Sequence, residues 1–517
     1  MWLALKLTKK IYQTLNKKFP SNSIVIVAAI AIISFLLRFY KLEERFDWTG
    51  VEGSFLWDIW YVAQGHIPLV GFESAAIGHL NFPPFQLWFL TPFFLMAKGN
   101  PIYAEIILIL FGVLSSILFF VVGNKIFGFR VGIIASLTYV ISLHAIISDR
   151  KFIGGAFMIP ISLITILLLW NIYKKKTLKI FDVLVLGSVI GIGFSTHYQS
   201  IFLLAGSIVF LILYKKVFRN IKYLLIFFLS TAFWLTPLLI FDLRHNFYTF
   251  KGFLILLTQY TKIGTANSGF FLSAQYVNQN FFGFFWNSLY SFQFQNYLPK
   301  FILVLAVILL IVIPLWMAKY VNLYQKNKPI LSYFSLLIFL GYLTLSFYRS
   351  QDYNFDYYYW FLIPVFIFTI GLMVNYLLQF NLAKIVIIPF LTFLLFLNLN
   401  DFLNYKTQDS YKAINNTITN LLTDARNKNL ESLTIKFEKA EVGAFDYLIY
   451  YHGIRNGFSP TTITLISIRE HYQERSILGS GRSPIKIISR GASAGIKPNY
   501  LIKREDLFNF AFTPTID

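Results

Sequence analysis

The chain has 517 residues, 56% of them hydrophobic and only 13% charged, with a mean hydropathy of +0.61. That leaves too little polar surface to wrap a soluble globule of 60.0 kDa. The absence of Cys excludes disulfide scaffolds, CxxC redox sites and cysteine-ligated zinc, while 57 Phe, 31 Tyr and 10 Trp exclude a disordered chain. A net charge of +21 would suggest nucleic acid in a soluble protein, but in a polytopic one it reflects basic cytoplasmic loops.

In chain order, Lys6, Lys9, Lys10, Lys17 and Lys18 precede an apolar run starting at Ile24. No small-residue cleavage site follows, which predicts a retained first span rather than a removed signal peptide. Runs long enough to cross roughly 30 Å of hydrocarbon lie near 23–40, 102–123, 131–148, 154–173, 180–196, 199–214, 223–241, 301–318, 330–348, 360–380 and 385–400. The run from Pro84 to Ala97 is shorter and contains Pro92, so it predicts a re-entrant or interfacial helix instead of a twelfth span. Residues 1–400 hold 42 charged residues, whereas the 117 residues from 401 onward hold 27, so a membrane body (1–400) gives way to a water-soluble tail (401–517). In the tail, KAINNTITNLLTDARN and FDYLIYYHGIRN read as helices and LTIKFE and TTITLISI as strands, predicting a small α/β domain that caps the outer face or recognises an acceptor. Asn415-Asn416-Thr417 fits an N-glycosylation triplet, a pattern common by chance.

Charge orients the body. With 84–97 not spanning, the loops 1–20, 124–130, 171–179, 214–222, 319–329 and 381–384 fall on one side and hold 19 of the 30 Lys and Arg of residues 1–400. The positive-inside rule makes that side cytoplasmic, with the N-terminus inside and the tail outside, in a plasma (inner) membrane. Eleven of the twelve Asp and Glu of this region then lie on or near the outer side, and only Asp182 lies inside. The outer loops 41–100 and 242–299 are too long for plain connections, and loops of that size carry function.

Several outer segments end in compact acid, base or His clusters. The first loop holds Asp47, Glu52 and Asp58, with a helix expected between Gly53 and Gly65 and His79 further on; SDRKF gives Asp149, Arg150 and Lys151; THYQS gives His197; and PLLIFDLRHNF gives Asp242, Arg244 and His245. Acids near a membrane surface pair, bind metal or act as bases. Arg holds a phosphate by a bidentate fork and Lys as a point charge. Ordinary ion pairs and snorkelling anchors are the plain alternative.

The lysine-flanked first span, the acid-bearing outer loop, the Pro83-Pro84 dipeptide before an interfacial helix, the basic FGFR turn at 127–130 and the outer tail together resemble the GT-C superfamily of polytopic glycosyltransferases. Within it the chain is similar to the protein O-mannosyltransferase and aminoarabinose transferase type, notably bacterial family 39-like members, over residues 20–400. The resemblance implies an all-α polytopic membrane protein of about 11 transmembrane helices with a small C-terminal α/β soluble domain. It implies a sugar donor linked to polyprenyl phosphate, a lipid, glycan or protein acceptor, membrane lipids as surroundings, no nucleic acid partner, and inversion at the anomeric carbon. The family's Asp-Glu pair corresponds to Val51-Glu52, so Glu52 or Asp47 takes the role of base, or the chain is an inactive lipid-binding relative. Asp149 corresponds to the second acid and positions the substrate, while Arg150, Lys151, Arg244, His245, His79, His197 and Asp242 surround the phosphate. No cofactor is required by these roles, and a divalent cation beside the acids is compatible with them. A lipid-oligosaccharide flippase is the competing class, but a transporter places ionisable groups near the bilayer midplane, and Arg38, Glu105 and Asp182 stand near span ends.

Overall fold

The computed structural model describes residues 21–72, 80–151, 155–215, 220–259, 322–347, 356–407, 409–438, 444–459, 462–467, 486–489, 500–503 and 513–514. The expected span 301–318 and His79 lie outside them. The chain is mostly helical. Helix α1 (Ser21–Phe39) leads through a short α2 (Leu42–Arg45) to α3 (Gly50–Ala63) and α4 (Phe85–Met96). The bundle continues with α5 (Pro101–Phe127), α6 (Phe129–Ile141), α7 (Leu143–Ser148), α8 (Gly155–Lys174), α9 (Ile180–Phe194), α10 (Ser200–Lys215), α11 (Ile221–Arg244) and α12 (Tyr248–Gln259). It closes with α13 (Asn322–Phe347), a 3-10 turn (Asp356–Leu362), α14 (Ile363–Leu377) and α15 (Asn381–Asn404).

Local chemistry sets the ends. Asn100 accepts from Ile102 N at 3.1 Å with Pro101 at the first turn of α5, and Asn220 accepts from Lys222 N at 3.1 Å to start α11. Gly128, at φ +103°, ends α5 and permits the immediate turn into α6. Expected span 131–148 is two helices, because Ser142 adopts extended backbone and its hydroxyl caps α7 by accepting from Ala145 N at 3.3 Å. The first-loop helix begins at Gly50 rather than after Gly53, because Thr49 and Glu52 form a capping box there.

Among the described residues, five helical stretches are long and apolar enough to cross a membrane: Pro101–Phe127, Phe157–Lys174, Ile221–Arg244, Tyr359–Leu377 and Asn381–Asn404. α11 and α15 expose much of their apolar surface, including Phe233, Leu239, Phe390 and Phe396, a face that suits lipid and not water. The protein is a multi-pass membrane protein. Helix α4, with 12 residues, reaches only about 18 Å, too short to cross the hydrocarbon. Small residues bring helices together: a Cβ on Gly123 of α5 would lie 2.7 Å from Gly132 Cα of α6, and Thr231 of α11 donates to Gly187 O of α9 at 3.1 Å.

Beyond α15 come α16 (Tyr411–Asn427), β1 (Leu433–Glu438), α17 (Asp446–Arg455), β2 (Ile463–Ser467), β3 (Lys486–Ser489), β4 (Tyr500–Lys503) and β5 (Thr513–Pro514). The sheet order is β3-β2-β1-β4-β5, parallel except for the β4–β5 pair. Thr417 is fully buried in α16, and Asn415 pairs with His452 Nε2 at 2.7 Å, so the glycosylation triplet is part of the packing. These elements rest on the first loop. Trp48 Nε1 donates to Ala444 O at 2.5 Å, Tyr447 OH to Gly99 O at 2.8 Å, and Trp57 packs its ring on Tyr447 and Tyr450. The C-terminal ends of α1 and α15, the first loop and the tail therefore share one end of the bundle.

Candidate active site

At that end Arg38, in the last turn of α1, donates from Nε to Asp149 Oδ2 at 2.7 Å and from Nη1 to Ser34 Oγ at 2.9 Å. Tyr139 OH of α6 donates to Asp149 Oδ1 at 2.6 Å. Neither ion-pair partner is exposed, and Gly112 of α5 leaves them room: a Cβ there would fall 2.4 Å from Asp149 Oδ2. Asp149, expected to position substrate, is instead enclosed with both oxygens engaged. Removing one partner of such a pair strands a buried charge, so the group ties α1, α5 and α6 together. Arg150, expected at a phosphate, donates from Nε to Arg38 O at 2.9 Å and from Nη2 to the carbonyls of Leu37, Arg38 and Tyr40. It caps the negative end of α1. Lys151 follows it, half-buried.

Glu52 is 3% exposed and accepts at Oε2 from Thr49 N at 2.9 Å and Thr49 Oγ1 at 2.5 Å. Burial pushes its carboxyl up to about 7 against the opposing pull of those hydrogen bonds, with the nearby Asp47 charge adding to the rise. Val51, at the position of the family's Asp, is 44% exposed. Asp47 is half-buried and accepts from Thr407 Oγ1 across the start of the tail. Arg45 donates to Phe402 O at 2.5 Å and Leu403 O at 2.8 Å, capping α15 as Arg150 caps α1. Glu105 of α5 is fully buried, and neither carboxylate oxygen has a partner among the described residues; Arg150, Glu52, Asp47 and Asp149 are its charged neighbours. Four acids thus share this end with Arg38, Arg45 and Arg150.

A second group forms around the twin prolines. Phe82 N donates to Phe72 O at 2.8 Å and Gly71 N to Phe82 O at 2.6 Å, folding the strand before Pro83 back on the loop. Phe72 stacks on Phe55, one turn from Glu52, with ring centroids 3.5 Å apart, which links the two groups. Phe82 contacts the rings of His197 and Tyr198, and Tyr198 OH donates to Asn81 O. His197 accepts from Gln199 N at 3.2 Å, and burial lowers its pKa, so it stands neutral and supplies no fixed positive charge. Asp242 is a cap: its two carboxylate oxygens accept from Thr249 N at 2.8 Å and Phe250 N at 3.0 Å at the start of α12. Arg244 is exposed at the end of α11, and His245 places Nδ1 2.8 Å from Phe241 O. Asp242 lies within electrostatic reach of Tyr198, so the end of α11 belongs to the same face of the bundle as the twin prolines.

A family model described as dolichyl-phosphate-mannose-protein mannosyltransferase matches residues 81–241, from the Asn81-Phe82-Pro83-Pro84 turn to the residue before Asp242. The crystal structure of ArnT from Cupriavidus metallidurans bound to undecaprenyl phosphate superposes with a TM-score of 0.55 at 11% identity, over 91% of this chain and 90% of that one. The fold is the one seen in that structure. An Archaeoglobus fulgidus oligosaccharyltransferase, in complex with zinc and sulfate, gives a TM-score of 0.48 at 12% identity over 82% of this chain and 61% of that one. No curated protein matches the sequence.

Tyr139, Tyr405 and Thr407 were not singled out in the sequence, and Arg38 and Glu105 were read there only as charges near span ends. Arg38 carried a readable signal, since an ionisable residue in an apolar span calls for a named partner. Thr407 carried none, because its partner is 360 residues away.

Proposed function

We propose that the chain is an inverting glycosyltransferase that moves a sugar from a polyprenyl-phosphate donor to an acceptor at the outer face of the plasma membrane. The observation that carries this reading is Glu52: a buried carboxyl, pushed up to about 7, at the loop-bearing end of a GT-C bundle. A base works best when its pKa lies near the working pH. The Glu52 carboxylate takes the proton of an acceptor hydroxyl or amine as the acceptor heteroatom forms its bond to the anomeric carbon. The bond from that carbon to the donor phosphate oxygen breaks on the opposite face, and its electron pair leaves with the polyprenyl phosphate. Arg244, exposed at the end of α11 on this face, is the cation assigned to that developing charge, because Arg38 and Arg150 are committed to the bundle. Asp47 orients the acceptor.

The test is transfer by purified protein in detergent, from a panel of labelled polyprenyl-phosphate sugars to an extract of envelope lipids, glycans and proteins. Glu52→Gln is expected to lower the rate by about 10²- to 10⁴-fold with folding preserved. Equal rates for Glu52→Gln and the parent chain rule Glu52 out as the base. Donor movement across vesicles without product formation supports a flippase instead.

A further inference from the structure

Residues 44–48 of the first loop and 402–412 at the start of the tail are fastened along their length. Arg45 binds the last carbonyls of α15, Trp48 N donates to Asp409 O at 2.7 Å, Tyr411 N donates to Phe46 O at 2.9 Å, and Lys412 Nζ lies 3.0 Å from Glu44 Oε1. Asp47 and Ser410 pair as an antiparallel bridge, and Tyr411 packs against Phe46 and Trp48 at centroid distances of 6.1 and 5.3 Å. Inside this seam the carboxylate of Asp47 accepts from the Thr407 hydroxyl and is also hydrogen-bonded by Tyr405, which lies in the field of Arg150 and Arg45.

We propose that the junction between α15 and the tail is a wall of the active site, and that Thr407 is the residue that positions Asp47 within it. This rests on the transferase reading above. A half-buried carboxylate on a loop has several rotamers, and a donor fixed by a backbone ladder selects one. Without the Thr407 hydroxyl, Asp47 keeps only the hold of Tyr405 and loses its aim at the acceptor. Thr407 touches no substrate; it acts through Asp47.

The test pairs Thr407→Val, which keeps the shape and loses the hydroxyl, with Thr407→Ser, which does the reverse. Thr407→Val is expected to lower kcat about 10- to 100-fold, the equivalent of one hydrogen bond to a charged group, with donor KM unchanged, and Thr407→Ser to restore it. Unchanged kcat in Thr407→Val, or failure of Thr407→Ser to restore it, overturns the proposal. Infrared spectra read the same bond without turnover. The carboxylate stretch missing in Asp47→Asn should shift in Thr407→Val and stay in place in Thr407→Ser; a stretch unmoved in both overturns the proposal even if the parent chain transfers no sugar. Absence of transfer by the parent chain together with the expected shift rejects the transferase reading and retains the positioning role.

Discussion

Glu52 owes its chemistry to where its helix begins. The Thr49-Gly50-Val51-Glu52 sequence is a capping box, and that turn places Glu52 inward at 3% exposure while Val51 faces out. The pattern was readable in the sequence, yet the helix was expected to begin only after Gly53. What could not be read was the burial that raises the carboxyl. If the ionised form is the base, the transfer rate should rise with pH through an inflection near 7, measured as kcat/KM from pH 5 to 9. Thr49 holds the charged form by two hydrogen bonds. Thr49→Ala removes the hydroxyl bond, so the inflection should move to higher pH; a downward shift or none would contradict this account. Asp149 makes the opposite case. Its place beside Arg150 suggested a working acid, but its partners Arg38 and Tyr139 stand 111 and 10 residues away, and nothing local announced that it would be enclosed.

At the scale of elements, the long apolar runs among the described residues are helical, because a run in lipid has no other way to satisfy its backbone. Breaks within runs were harder to see: Ser142 leaves the helical path and its one hydroxyl starts α7. The short α4 was legible from its length and Pro92 alone. The most consequential contact in the tail is that of α17 with α3. Asp446, in the first turn of α17, is 2% exposed beside Trp57, and burial pushes its carboxyl up to about 7. A carboxyl raised in the folded state favours folding below its unfolded value, near 4, and that contribution is lost as pH rises through 7. Protection of residues 446–455 in hydrogen exchange, corrected for intrinsic rates, should therefore weaken between pH 5 and 8. Asp446→Asn should flatten that dependence and protect the helix at pH 8; an unchanged dependence would show that Asp446 does not govern the docking.

For the molecule as a whole, parity and charge gathered the acids on one side, and the structure has Arg38, Asp47, Glu52, Glu105 and Asp149 at one end of the bundle. Which side of the membrane that end faces is open to direct measurement, because the chain contains no Cys. Asn427→Cys, at the exposed C-terminal end of α16, should react with an impermeant maleimide in intact cells, while Lys176→Cys, on the loop after α8, should react only after permeabilisation. The reverse pattern would put the tail in the cytoplasm. What the sequence withheld at this scale was assembly across distance, since hydropathy and charge describe each segment in isolation.

The bond between Asp47 and Thr407 spans 360 residues. At ordinary elongation speeds of about 5–20 residues per second, the ribosome needs on the order of tens of seconds to deliver the second partner after the first. During that interval Arg45, Asp47 and Trp48 wait at the bilayer edge without the neighbours that later cover them. The nascent chain is thus inserted long before it is finished as a machine, and α15 and the extended segment behind it act as the closing stitch.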